Sequence, residues 1–84
     1  MPRYFFDLYN DIDLLDDEGR DLADIDAAKA EVFREAREMI QASVTEQGKI
    51  DLRHRIEVRD EGSDVVFVVH FDDAVRVLRE GKPV

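Results

Sequence analysis

From Asp24 to Gln47 the sequence holds a single helical rhythm, and no other stretch of its 84 residues is long enough to do the same. At 100° per residue, Ile25, Ala28, Val32, Phe33, Ala36, Met39, Ile40 and Val44 fall on one side. Glu31, Arg34, Arg37, Glu38, Gln41 and Thr45 fall on the other. That is a broad apolar stripe facing a core, with a solvated back. Asp24 is placed to accept an early backbone N–H, Asp26 suits the positive pole of the first turn, and Gly48 suits a left-handed stop. Arg34 can pair with both Glu31 and Glu38 at helical spacing. Lys29 and Ser43 interrupt the stripe. Lys29 reads as a snorkelling side chain, the alternative being a cation aimed at a ligand or partner at the sheet edge.

The flanking segments alternate with a period of two. Arg3–Tyr9 puts Tyr4, Phe6 and Leu8 on one face and Arg3, Phe5, Asp7 and Tyr9 on the other. A loop from Asn10 to Gly19 follows, with Ile12, Leu14 and Leu15 able to pack back, and Gly19–Leu22 reads as a short second strand. After the helix, His54–Asp60 turns Ile56 and Val58 inward and Arg55, Glu57 and Arg59 outward; Arg53 shares their parity. Asp60-Glu61-Gly62-Ser63 is a turn in which Gly62 is the residue free to take positive φ. Val65–Phe71 is apolar on both faces, the pattern of a central strand covered on both sides. Asp72 or Asp73 caps a last short helix over Ala74–Glu80, ended by Gly81 and Pro83. The order is ββαββ with a short C-terminal helix. It predicts one α+β domain over residues 1–84, two layers, with an antiparallel sheet of three to four strands and the long helix on one face.

A chain this short buries only about 60% of its unfolded surface, so association would help it. It has no cysteine, hence no disulfide framework. The opening Met1-Pro2-Arg3-Tyr4-Phe5-Phe6 does not read as a signal peptide, and no stretch approaches the roughly 20 apolar residues of a membrane span. The chain reads as cytoplasmic and bacterial. Its net charge of −9 is concentrated early: residues 1–24 hold eight acids against two bases, whereas residues 48–84 hold eight against seven. The acidic total opposes simple phosphate binding, but the balanced second half leaves room for a basic patch.

Met1-Pro2-Arg3-Tyr4-Phe5-Phe6-Asp7, Asp17-Glu18-Gly19 with Leu22, Asp24-Ile25-Asp26-Ala27-Ala28-Lys29-Ala30-Glu31 and Ile56-Glu57-Val58-Arg59-Asp60 together resemble a family of short bacterial proteins grouped as a domain of unknown function. The resemblance covers nearly the whole chain and implies no activity and no cofactor. Members often carry His or another polar residue in place of Asp7, and Arg in place of Lys29, which argues against a metal-type role for position 7 here. A weaker similarity, in layout alone, is to HicB-like antitoxins, and layout does not imply function.

Chemistry finds little to work with. Asp11-x-Asp13 begins like a calcium loop, but the fifth, sixth and twelfth positions hold Leu15, Asp16 and Leu22, so the loop reads as solvated and no metal site is expected. With no Cys and with Ser43 in a helix and Ser63 in a turn, no nucleophile–base pair is evident. His54 and His70 read as surface or rim residues, and no enzyme or cofactor is expected. The face of the sheet away from the helix is the candidate surface. Phe5, Tyr9, Arg55, Arg59, Val66, Val68 and His70 share it, with Arg3 and Arg53, while Asp7 and Glu57 offset part of the charge. Three occupants fit: a second copy or another protein, the segment Ala74–Glu80, or single-stranded nucleic acid stacked on the aromatics. The favoured reading is a non-enzymatic interaction or homodimerisation module; the alternative is a nucleic-acid-linked regulator of the HicB-antitoxin type.

Overall fold

Asp24 takes an extended backbone and its carboxylate accepts the Ala27 N–H at 2.9 Å, which starts the long helix. The computed structural model describes residues 1–83. Its main elements are β1 (Arg3–Tyr9), β2 (Arg20–Asp21), α1 (Ile25–Gln47), β3 (Arg55–Arg59), β4 (Val65–His70) and α2 (Phe71–Ala74), followed by β5 (Leu78–Arg79) and β6 (Lys82–Pro83). Gly48, at φ 66°, ends α1 and donates its N–H to Val44 O. Ala28, Val32, Ala36 and Ile40 are buried, and Ile25, Phe33 and Met39 pack beside them. Val44, part of the sequence stripe, is instead 45% exposed. A helix of 23 residues runs about 34 Å at 1.5 Å per residue. The strands beneath have five to seven residues and span about 17–24 Å, so the last turns of α1 overhang the sheet.

The four strands are antiparallel in the order β2-β1-β3-β4. Tyr4 and Phe6 of β1, Ile56 and Val58 of β3 and Val69 of β4 meet the helix. The smallest dimension of the chain is 18 Å, which fits one sheet and one helix and leaves no space for a third layer.

Four details differ from the sequence expectation. First, β4 is an edge strand, not a central one: Phe67 and Val69 face the helix, Val66 is exposed and Val68 is half-buried. Alternation alone cannot separate double cover from single cover plus an open face. Second, the turn after β3 places its positive φ at Ser63 (66°). The Asp60 carboxylate accepts the Gly62 and Asp64 N–H groups, and that arrangement fixes where the chain reverses. Third, the last helix is Phe71–Ala74, and the chain beyond it forms a hairpin rather than a helix over Ala74–Glu80. Phe71 and Ala74 are the buried pair at helical spacing. Glu80 (φ 55°) and Gly81 (φ 80°) then form the two-residue turn between β5 and β6, the left-handed pair that such hairpins require. Fourth, α2 sits in the helix layer, where Arg37 Nε donates to Ala74 O at 2.7 Å, so it does not cover the outer face.

Candidate functional site

The register assembles the outer face in rungs. Tyr9 lies opposite Arg55, and Arg55 opposite His70; Asp7 lies opposite Glu57, and Glu57 opposite Val68; Phe5 lies opposite Arg59. Arg59 pairs with Val65 and leaves Val66 as the extra residue of a bulge. Of the residues singled out in the sequence, the register therefore sets Phe5, Tyr9, Arg55, Arg59, Val68 and His70 on one face, with Val66 in the bulge beside them. The arginines on it are engaged. Arg55 lies over the Tyr9 ring at 4.3 Å and donates to Glu57 Oε2 at 2.9 Å, and Arg59 lies over Phe5 at 5.1 Å.

The β1 half of this face is closed by the acidic loop. Asp7 is 1% exposed. It accepts from Arg59 through both carboxylate oxygens, and from the Asp16 N–H at 2.9 Å. Arg59 Nη2 also donates to Asp16 O at 3.0 Å. The Asp16 carboxylate in turn accepts the Phe6 N–H at 3.0 Å and the Glu18 and Gly19 N–H groups at 3.1 and 3.0 Å. Burial pushes the Asp16 carboxyl up, but the N–H bonds from Gly19, Phe6 and Glu18 and the charge of Arg20 outweigh it and hold the group below its ordinary value. The hydrogen bond to Asp7 is the main cause that raises the Arg59 guanidinium further. Gly19 (φ 71°) lies so close to Phe5 that an added Cβ would sit 2.8 Å from its ring. The loop is thus built into the fold at Asp16, not solvated throughout. Asp7 inside an aromatic strand, with Arg59 available across the sheet, was the legible part of this signal. The bond from Asp16 to the Phe6 N–H has no sequence signature.

The β4 half is open. Val65 and Val66 are 50% and 39% exposed, His70 is exposed and Val68 is half-buried, and no described residue forms a strand beyond them. The Phe71 N–H donates to His54 O at 2.9 Å, which sets the phase of the ladder. Bonded pairs alternate, so Val69 and Phe67 turn their peptide groups to β3 while Val68 and His70 turn theirs to the open edge. Lys29 lies next to this strand in the helix layer, with its ammonium 5.2 Å from the Phe67 ring centroid, as a snorkelling lysine resting on an aromatic.

A second location lies at the overhanging end of α1. There Asp11, Asp51 and His54 bring one donor atom each within 4.8 Å of one another, at a cleft of about 330 Å³. Arg53 holds the Asp51 carboxylate from both sides, at 2.9 and 2.7 Å, and keeps it far below the usual carboxylate range. Sequence reasoning missed this group because Asp11 is 40 or more residues from its companions.

Residues 3–72 match the family described as a domain of unknown function, DUF6894. The chain belongs to this family. The matched range runs from β1 into α2, so it contains Asp7, Asp16, Arg59 and the whole of β4, and it stops before the β5–β6 hairpin. No curated protein and no solved structure matches the chain. Among the described residues no helix is long and apolar enough to cross a membrane.

Proposed function

We propose that this member of the DUF6894 family is a non-enzymatic interaction module that pairs with a second copy of itself along β4, making one continuous antiparallel sheet. The supporting observation is the open edge: six residues, Val-Val-Phe-Val-Val-His, with no charged residue and no proline. Natural edges of that kind are normally blunted or paired. The bulge at Val66 twists only the start of the strand, so Phe67–His70 keep a regular ladder. A two-fold axis at Val68 sets that residue beside its own copy and Val66 beside His70 of the second copy, with no like charges opposed. The open apolar strip of the outer face then continues across the junction. A pairing of this length lies at the low end of specific interface sizes, so the dimer is reversible, with a Kd on the order of 10 µM. The lack of cysteine favours a cytoplasmic setting.

Phosphate recognition has less support. Arg3, Arg53, Arg55 and Arg59 each already hold a carboxylate, and a nucleic acid would have to displace those partners under a net charge of −9.

Light scattering across a dilution series tests the reading. The mass is expected to fall from twice to once the chain mass as the protein is diluted, and Val68→Asp is expected to stay folded by circular dichroism and remain monomeric throughout. A monomer at every concentration of the parent protein, or an unchanged dimer in Val68→Asp, would overturn it.

A further inference from the structure

We propose that Asp11, Asp51 and His54 form a binding site for a divalent transition cation of the zinc class, at the cleft beside the C-terminal end of α1. The inference is independent of the β4 edge.

Three observations carry it. The first is the donor geometry. An N/O-ligated tetrahedral cation at about 2.0–2.1 Å from its ligands separates them by roughly 3.3 Å. His54 Nε2 lies 3.5 Å from Asp51 Oδ2, close to that separation already. Asp11 is on the exposed loop after β1, within 4.8 Å, and can close the remaining distance by side-chain rotation.

The second is His54 itself. Its Nε2 is buried and makes no hydrogen bond, the one such side-chain atom among the described residues. The ring is fixed edge-on against the buried Phe71, with centroids 5.5 Å apart at 69°. Buried polar atoms are ordinarily satisfied. Here a nitrogen that folding leaves unsatisfied lies 3.5 Å from the Asp51 carboxylate, with Asp11 beside the pair.

The third is charge. Glu46 lines the same cleft, and the last turn of α1 has no basic residue to offset its negative pole. The opposing cations are Lys49 and Arg53. Arg53 is 83% exposed, so it can release Asp51 Oδ2 to a metal while keeping its bonds to Oδ1. One imidazole and two carboxylates, with no thiolate, suit zinc, nickel, cobalt or manganese better than a soft monovalent metal. Three protein ligands leave at least one position open for water or for a donor from another molecule.

The test is calorimetric titration of untagged, chelator-treated protein with Zn²⁺, with Mg²⁺ as the control, alongside melting curves. One Zn²⁺ per chain is expected, with a raised Tm and with movement of the His54 ring resonances in the NMR spectrum. Asp11→Asn, an exposed change that leaves the core intact, is expected to weaken binding about tenfold or more, and His54→Gln to abolish it. No saturable Zn²⁺ binding, or binding undiminished in Asp11→Asn, would overturn the site. Should His54→Gln fail to fold, Asp11→Asn and the ring resonances still decide.

Discussion

Along one edge of the sheet, β2 is two residues long, and beyond it the Asp16 carboxylate takes the Phe6 N–H that a longer strand would have bonded. Arg3 is tied to Asp21 and to Glu18 O, and Arg20 reaches Glu35 at 2.8 Å while lying over the Phe6 ring. Along the opposite edge, β4 offers Phe67–His70 with no charge and, among the described residues, no cap and no covering segment. The outer face divides in the same way, into a half closed by the acidic loop and a half left apolar. A chain able to seal one edge with charges and side-chain caps has left the other in the form that pairs with another strand. The difference locates stability on the β2 side and association on the β4 side.

The sharpest way to break that division is to cut the closed half. Arg59→Met removes the guanidinium and leaves Asp7 buried without its counter-ion. A loss of about 3–5 kcal/mol in urea denaturation is expected, and a loss under about 1 kcal/mol would mean that the loop does not seal that half. Gly19→Ala comes next. It forces a left-handed alanine against Phe5, and about 2 kcal/mol of destabilisation is expected from the same measurement.

The pH dependence is smaller but has a definite sign. The folded Asp16 carboxyl lies below its ordinary value near 3.8. Its contribution is therefore complete above about pH 4 and is lost as pH falls through the folded value. The parent protein should lose stability on acidification below pH 4, and Asp16→Asn, less stable at neutral pH, should show a shallower acid loss. Smallest of all is the effect of Val68→Asp on the monomer, expected within about 1 kcal/mol, although the same change is expected to abolish association. A large stability loss there would show that β4 is part of the sealed core after all.

Much of the fold was legible because its signals are local and periodic. The α1 stripe with Asp24 and Gly48 at its ends, the alternation of β1 and β3, and the Val65–Phe71 run, whose last residue belongs to α2, can each be recognised from neighbours a few residues apart. What could not be read depends on distant partners. Whether Val66 and Val68 are covered is decided by strand order, which the valines themselves do not encode. Gly81 suits the end of a helix and the turn of a hairpin equally, and here it takes the hairpin turn together with Glu80. Asp16 sits among four other acids of the loop, and nothing in the sequence marks it as the one that meets the Phe6 N–H. The alternation of each strand puts Phe5, Tyr9, Arg55, Arg59, Val68 and His70 on one face, and the register agrees. That the arginines there are committed to Asp7 and Glu57, rather than free, required the register.

The placement of β1 between β2 and β3 bears on how the chain is made. Arg59 and Asp7 are 52 residues apart, so during synthesis the aromatic run Tyr4-Phe5-Phe6 leaves the ribosome long before its inner neighbour exists. At about 5–20 residues per second that wait is roughly 3–10 seconds. For this interval β1 has only the two residues of β2 beside it, and the nascent chain is most open to mispairing through its first strand.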